Sequence, residues 1–255
     1  MTERQTNYTI GEYMDLPSKG LIYGNGIPSQ IELRSMTARD EMKRLAPSAS
    51  QFKTLADIIE GCMVEKSPIH VYDMALGDYE YLLHRLRIVT YGDEYKMGLR
   101  CPFCGEYIDT VAHLEELEVK EFDQAAFEAA RTIVLPRSGS TVTLNFQTPR
   151  MLDENENRVK ELKRKFKDAQ IDFNLMVTLT SAIDTVDGLH MDPIKLETFV
   201  NRLPALDMTK IVNAIEELNH LVGLDNSIIV PCDKCGGEVP TSFRFGSEFF
   251  RPTNI

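Results

Sequence analysis

YKMGLRCPFCG, residues 95–105, and IIVPCDKCGG, residues 228–237, decide how this chain is organised. Ahead of the first cysteine pair, Tyr95, Met97, Leu99 and Cys101 alternate with Lys96, Gly98 and Arg100, the period of two that marks a strand. The run Tyr107–Val111 behind it reads as the returning strand. Ile228–Val230 and Val239–Phe245 frame the second pair in the same way. Each Cys-x-x-Cys turn offers two thiolates, and Gly105 and Gly236 suit the tight bend because a residue without a Cβ accepts positive φ. Strand, knuckle, strand in both halves predicts the two jaws of a zinc ribbon.

One pair supplies half of a tetrahedral shell, so Cys101, Cys104, Cys232 and Cys235 are expected to hold a single structural Zn²⁺ together. All of residues 105–231 lie between the jaws, where compact fingers place about 15–20 residues. The span is therefore an insertion closed at its base by the metal. Two rival readings stand beside this one: a redox Cys-x-x-Cys, for which no thioredoxin-like βαβ pattern is evident, and two separate intermolecular half-sites. Four thiolates leave no position open for water or substrate, so the expected metal is structural rather than catalytic.

The remaining sequence predicts an α+β fold. Turn signals around Leu21–Tyr23 and Ile31–Leu33 read as an opening hairpin, and Thr37 with Asp40 marks a helix start running to Ala46 before Pro47. Phe52, Leu55, Ile59 and Cys62 share one helical face, which makes Cys62 a core residue. Asp78 reads as the cap of a further helix ending at Gly92. An acidic helical stretch near 114–130, a hairpin over Thr132–Leu135 and Thr141–Phe146, and helices near 154–169, 171–185, 193–203 and 207–222 follow. Asp192-Pro193 and Asp207 read as the starts of the last two helices. The expected division is an N-terminal α+β region of hairpin plus helices over 1–94, a split four-cysteine ribbon over 95–112 and 226–247, a hairpin and mainly helical insertion over 113–225, and a tail over 248–255.

Composition narrows function. Lys plus Arg total 28 against 39 Asp plus Glu, a formal charge of −11, which makes nucleic acid a poor partner overall. The exception is a basic stripe of Arg158, Lys160, Lys163, Arg164, Lys165 and Lys167, either a solvated helix face or a partner-binding one. No run is long and apolar enough to span a bilayer and no secretory signal is evident, so no membrane association and a cytoplasmic setting are expected. No phosphate-cradling loop, H-E-x-x-H or G-x-S-x-G motif is present. His84, with Glu80 four residues earlier, lacks a full ligand set and reads as a surface contact; His70, His113, His190 and His220 read as solvated or packed. Phe249-Phe250-Arg251 and the loop near Tyr23 are candidate partner anchors, or else they pack on their own domain. A zinc-ribbon nucleic-acid-binding module is the alternative function; the knuckle neighbours Arg100 and Lys234 are basic, but Glu106, Asp109, Asp233 and Glu238 are acidic.

Several segments together carry a family likeness: LPSKGLIYGNGIPSQIELRSMTARDE (16–41), LHRLRIVTYGDEYKMGLRCPFCG (83–105), VLPRSGSTVTL (134–144), the helical section, and CDKCGGEVPTSFRFGSEFFRP (232–252). In this order they resemble the baseplate hub or hub-assembly proteins of T-even-like phages. The resemblance implies a non-enzymatic protein that binds other baseplate and tail hub proteins, as a permanent part or as a transient helper. It also implies assembly in the host cytoplasm, and a place in the virion tail baseplate if the protein stays in the particle.

Overall fold

Two antiparallel strands, β1 (Gly11–Asp15) and β2 (Gln30–Arg34), open the part of the chain that the computed structural model describes, residues 11–24 and 27–250. Met14 lies opposite Ile31, and both are buried with Leu16 and Leu33. The sequence pattern places a strand at Leu21–Tyr23, but one turn of 3₁₀ helix stands there. Gly20 and Gly24 flank it at φ 73° and 79°, left-handed backbone that breaks any ladder.

Helix α1 (Ala38–Leu45) begins with the capping box that Thr37 and Asp40 predict, and α2 (Gln51–Cys62) is capped by Ser50. Leu55, Ile59 and Cys62 are buried as their spacing requires, and burial lifts the Cys62 thiol to about 11. Helix α3 (Leu76–Tyr91) is the axis of the N-terminal core: Tyr79, Leu82, Leu83 and Leu86 are wholly buried, each leucine contributing roughly 2 kcal/mol by leaving water. Asp78 does not cap it. Ala75 occupies that position, and the Asp78 carboxylate turns inward to accept from Ser18 N (2.9 Å), Ser18 Oγ and Tyr23 Oη (2.5 Å).

Beyond α3, β3 (Glu94–Arg100) and β4 (Tyr107–His113) form the first cysteine-bearing hairpin. Helix α4 (Gln124–Ala130) is shorter than the acidic stretch suggested and is preceded by a 3₁₀ turn at Leu114–Glu116. Strands β5 (Thr132–Val134) and β6 (Thr141–Leu144) make the expected hairpin. Helices α5 (Pro149–Lys165) and α6 (Phe173–Ala182) follow, and then the chain departs from its helical pattern. Ile183–Val186 is strand β7, paired on β6 with Val186 opposite Val142, because β-branched residues run up to a turn at Asp187 and Gly188. Helices α7 (Pro193–Asn201) and α8 (Ala205–His220) precede the second hairpin, β8 (Ser227–Pro231) and β9 (Glu238–Ser242). Asp192 caps α7 as expected, whereas Asp207 lies inside α8, buried, accepting from the backbone N–H groups of Arg137 (2.7 Å) and Ser138 (2.9 Å) at the β5–β6 turn.

Mixed α and β structure with eight α-helices and four small sheets is thus present among the described residues. One apolar core gathers β1, β2, α2 and α3; a second gathers α4, β5–β7 and α6–α8. Phe249 and Phe250 are 1% and 0% exposed in the first core, Phe249 against Tyr95 and Phe243 and Phe250 against Phe249, so they are not free anchors; Arg251 lies outside the described residues.

Two contacts aim the hairpins. At the end of α3 the buried Arg87 guanidinium donates to the carbonyls of Gly92 (2.9 Å) and Glu94 (3.2 Å) and lies over the Tyr91 and Tyr95 rings, fixing the departure of β3. At its start, Gly77 meets the backbone of Val222 and Gly223 so closely that a Cβ would lie 2.2 Å from the Val222 carbonyl oxygen. The chain running back from β4 pairs with this second root: Lys120 N donates to Gly223 O (3.0 Å) and Asp225 N to Glu118 O (2.8 Å).

Candidate metal centre

The two cysteine turns are built alike. In the first, Cys101 N donates to Glu106 O (2.8 Å) and Gly105 N to Cys101 O (2.9 Å); in the second, Cys232 N donates to Gly237 O (2.9 Å) and Gly236 N to Cys232 O (2.8 Å). Gly105 and Gly236 stand at φ 75° and 69°, the left-handed conformation that their place in the motif predicts. Phe103 crosses from the first turn onto the second, where a Cβ on Gly237 would lie 2.6 Å from its ring.

The inner faces of the hairpins pack through Leu99, Ile108, Ile228, Val230 and Val239. This brings Cys101, Cys104, Cys232 and Cys235 together with all four Sγ atoms within 4.8 Å of one another. None is in a disulfide. The Cys101–Cys235 and Cys104–Cys232 sulfurs are each 3.7 Å apart. A tetrahedron whose centre is about 2.3 Å from each sulfur has an edge of about 3.8 Å, so the cluster has the size of a four-thiolate metal shell. Cys101 and Cys232 face inward and Cys104 and Cys235 outward. Lys234 pairs with Glu106 across the two turns, an exposed contact of small energetic weight.

Burial works against ionisation of Cys101, but the backbone N–H groups of Cys104 and Phe103 overcome it and bring the thiol down to about 7. Cys104 receives the Glu106 N–H, yet burial and the three neighbouring sulfurs push it up to about 12. Crowded sulfurs resist losing all their protons unless a cation sits among them.

The histidines do not join this cluster. His84 is buried rather than on the surface, with Nε2 2.8 Å from Leu114 O. His113 pairs with Asp93 (2.6 Å) and His190 with Asp184 (3.3 Å). Tyr23 is tied into the core by Asp78, while all six residues of the basic stripe on and just beyond α5 are exposed. What the sequence reading missed are the long-range acceptors Asp78 and Asp207: each resembles a local cap, and their donors lie about sixty and seventy residues away.

Fold and site together define a mixed α and β protein in which four cysteines able to hold a metal ion knit two distant hairpins. A family model described as T4 bacteriophage base plate protein matches residues 12–251, and the chain belongs to that family. No curated protein and no solved structure matches it. Membership places the chain among structural proteins of the phage baseplate, in the virion tail, which work in contact with other tail or baseplate proteins. No helix among the described residues is long and apolar enough to cross a membrane.

Proposed function

We propose that this chain is a non-enzymatic hub component or hub-assembly factor of a phage baseplate, acting by protein–protein binding, with one structural Zn²⁺ on Cys101, Cys104, Cys232 and Cys235. The family match over residues 12–251 carries the baseplate reading. For zinc, the support is the pair of 3.7 Å sulfur separations and the softness of an all-thiolate shell. A shell of four sulfurs leaves no site for a reacting water, which favours a clasp over a catalyst.

On this reading the two matched knuckles and their hairpins are a split zinc ribbon over 95–112 and 226–247. Residues 1–94 form the N-terminal region, 113–225 the insertion and 248–255 the tail. Affinity capture from infected cells, compared with the protein content of purified tails, tests the hub assignment. Recovery of other hub components supports it; recovery of nucleic acid or polymerase alone overturns it.

A further inference from the structure

Opposite charges occupy two separate exposed surfaces of this chain, each with apolar residues at its centre. The first is the end of α5 and the segment after it. Residues 158–167 hold six basic side chains and one acid on a chain whose total is −11. The ion pairs of this stretch are internal to α5, Arg158 with Glu161 (3.8 Å) and Lys160 with Glu156 (2.6 Å). Lys163, Arg164 and Lys167 form no close salt bridge among the described residues, and Lys163 has only the longer-range charge of exposed Asp172 beside it. The helix C-terminus explains why cations are tolerated there. It does not explain why Phe166 is 46% and Ile171 62% exposed beside them.

The second surface is a slot between β4 and β8. Each strand belongs to a two-stranded sheet, so each keeps one edge without a strand partner among the described residues. The chains are joined at the base by the Val119–Leu224 bridge and at the tip by the cysteine cluster, and between these points they splay into a groove. Val111 and Ile229 lie exposed along it, and Glu116, Glu118 and Asp225 line it. An open, apolar β edge is a surface that proteins normally cover or guard.

We infer that a second copy of this chain covers the slot, seating the Phe166 end of its α5 between β4 and β8 with Lys163, Arg164 and Lys167 against Glu116, Glu118 and Asp225. One molecule carries both halves of the match, in charge and in apolar content, on different elements. The aromatic and aliphatic contacts supply the holding energy, and the charges supply register and rate of encounter. The contact joins different surfaces of the two copies, so it closes as a reciprocal pair or a larger ring, or runs on as a filament, according to the rotation it imposes. It rests on the shape and charge of the slot and not on which ion the sulfurs hold.

Sedimentation velocity of the full chain, with metal content measured in parallel, tests this. The expected result is concentration-dependent association that weakens by about tenfold or more as salt rises from about 0.05 to about 0.5 M. The triple reversal K163E/R164E/K167E and the double reversal E116K/E118K each leave monomers. An equimolar mixture of the two variants associates again, because the reversed helix end of one now fits the reversed slot of the other. That rescue requires both variants to be folded. A wild-type chain that stays monomeric at every concentration overturns the inference, as does association that survives both reversals. Duplex DNA binding by the basic stripe without self-association overturns it as well.

Discussion

Cys104 and Cys232 hold their sulfurs 3.7 Å apart although residues 105–231 separate them in the chain. Cys101 and Cys235 repeat the distance, so each knuckle contributes one inward and one outward sulfur to the same cluster.

Substituting serine for a cysteine of either knuckle should therefore have the same consequence. Mass spectrometry under native conditions should find one zinc per wild-type chain and none in Cys104→Ser or Cys232→Ser. Thermal unfolding of each variant, and of the wild type treated with a chelator, should begin about 10 °C lower. A variant of one pair that keeps full metal loading would show that the halves bind separately.

Gly77→Ala should destabilise by roughly 2–3 kcal/mol in urea titration, because its Cβ would lie 2.2 Å from the Val222 carbonyl oxygen and backbone cannot step aside cheaply. Gly61→Ala is the matched control. A Cβ there meets nothing within 4 Å, so in the last turn of α2 the change carries no steric cost and gains at most about 0.5–1 kcal/mol. Equal effects at the two positions would argue against the close approach of α3 to the root of β8.

Asp78→Ala removes the acceptor for Ser18 N, Ser18 Oγ and Tyr23 Oη in a buried setting, and the expected loss is roughly 3 kcal/mol. Tyr23→Phe deletes one of these donors, as well as the acceptor for Ala75 N, and should lose about 1–2 kcal/mol. Hydrogen exchange should show the 16–24 segment opening first in both.

Burial holds His84 below its ordinary value of 6.5, against the raising effects of the Leu114 carbonyl and the Asp93 charge. Its Nε2 faces Leu114 O, while its buried Nδ1 has no hydrogen-bond partner among the described groups, so a second proton would be both charged and unsatisfied. The unfolded chain takes up that proton more readily. Stability conferred by neutral His84 is present above about 6.5 and falls as pH drops below it. Urea midpoints measured from pH 7 to 5 should decline, and the decline should flatten in His84→Asn, which keeps a donor but does not titrate in that range.

Much of this was legible in the chain itself where the signal is local. The cysteine knuckles, the capping box at Thr37, the core face of α2 and the caps Asp192 and Gly92 are written within a few residues of where they act. Other features depend on partners far away. Strand β7 reads as the continuation of a helix because Ile183 and Val186 stand at helical spacing, and only the waiting edge of β6, which β7 meets through a shift of register, settles the matter. Asp78 and Asp207 look like caps until their distant donors are seen. Phe249 and Phe250 fit either an anchor or a packed pair in the sequence, because nothing in the short tail shows that the N-terminal core has room for them.

The matched cysteine turns of the two hairpins bear on timing as well as on form. An ion bridging Cys104 and Cys232 can be captured only after everything between them has settled, since until then the two half-shells drift apart on a long tether and neither holds metal firmly alone. Contacts of such large sequence separation form late in folding. Metal uptake would therefore act as a checkpoint: a chain misfolded between the two hairpins would not bring its four cysteines together, and so would not present the slot on which self-association is proposed to depend.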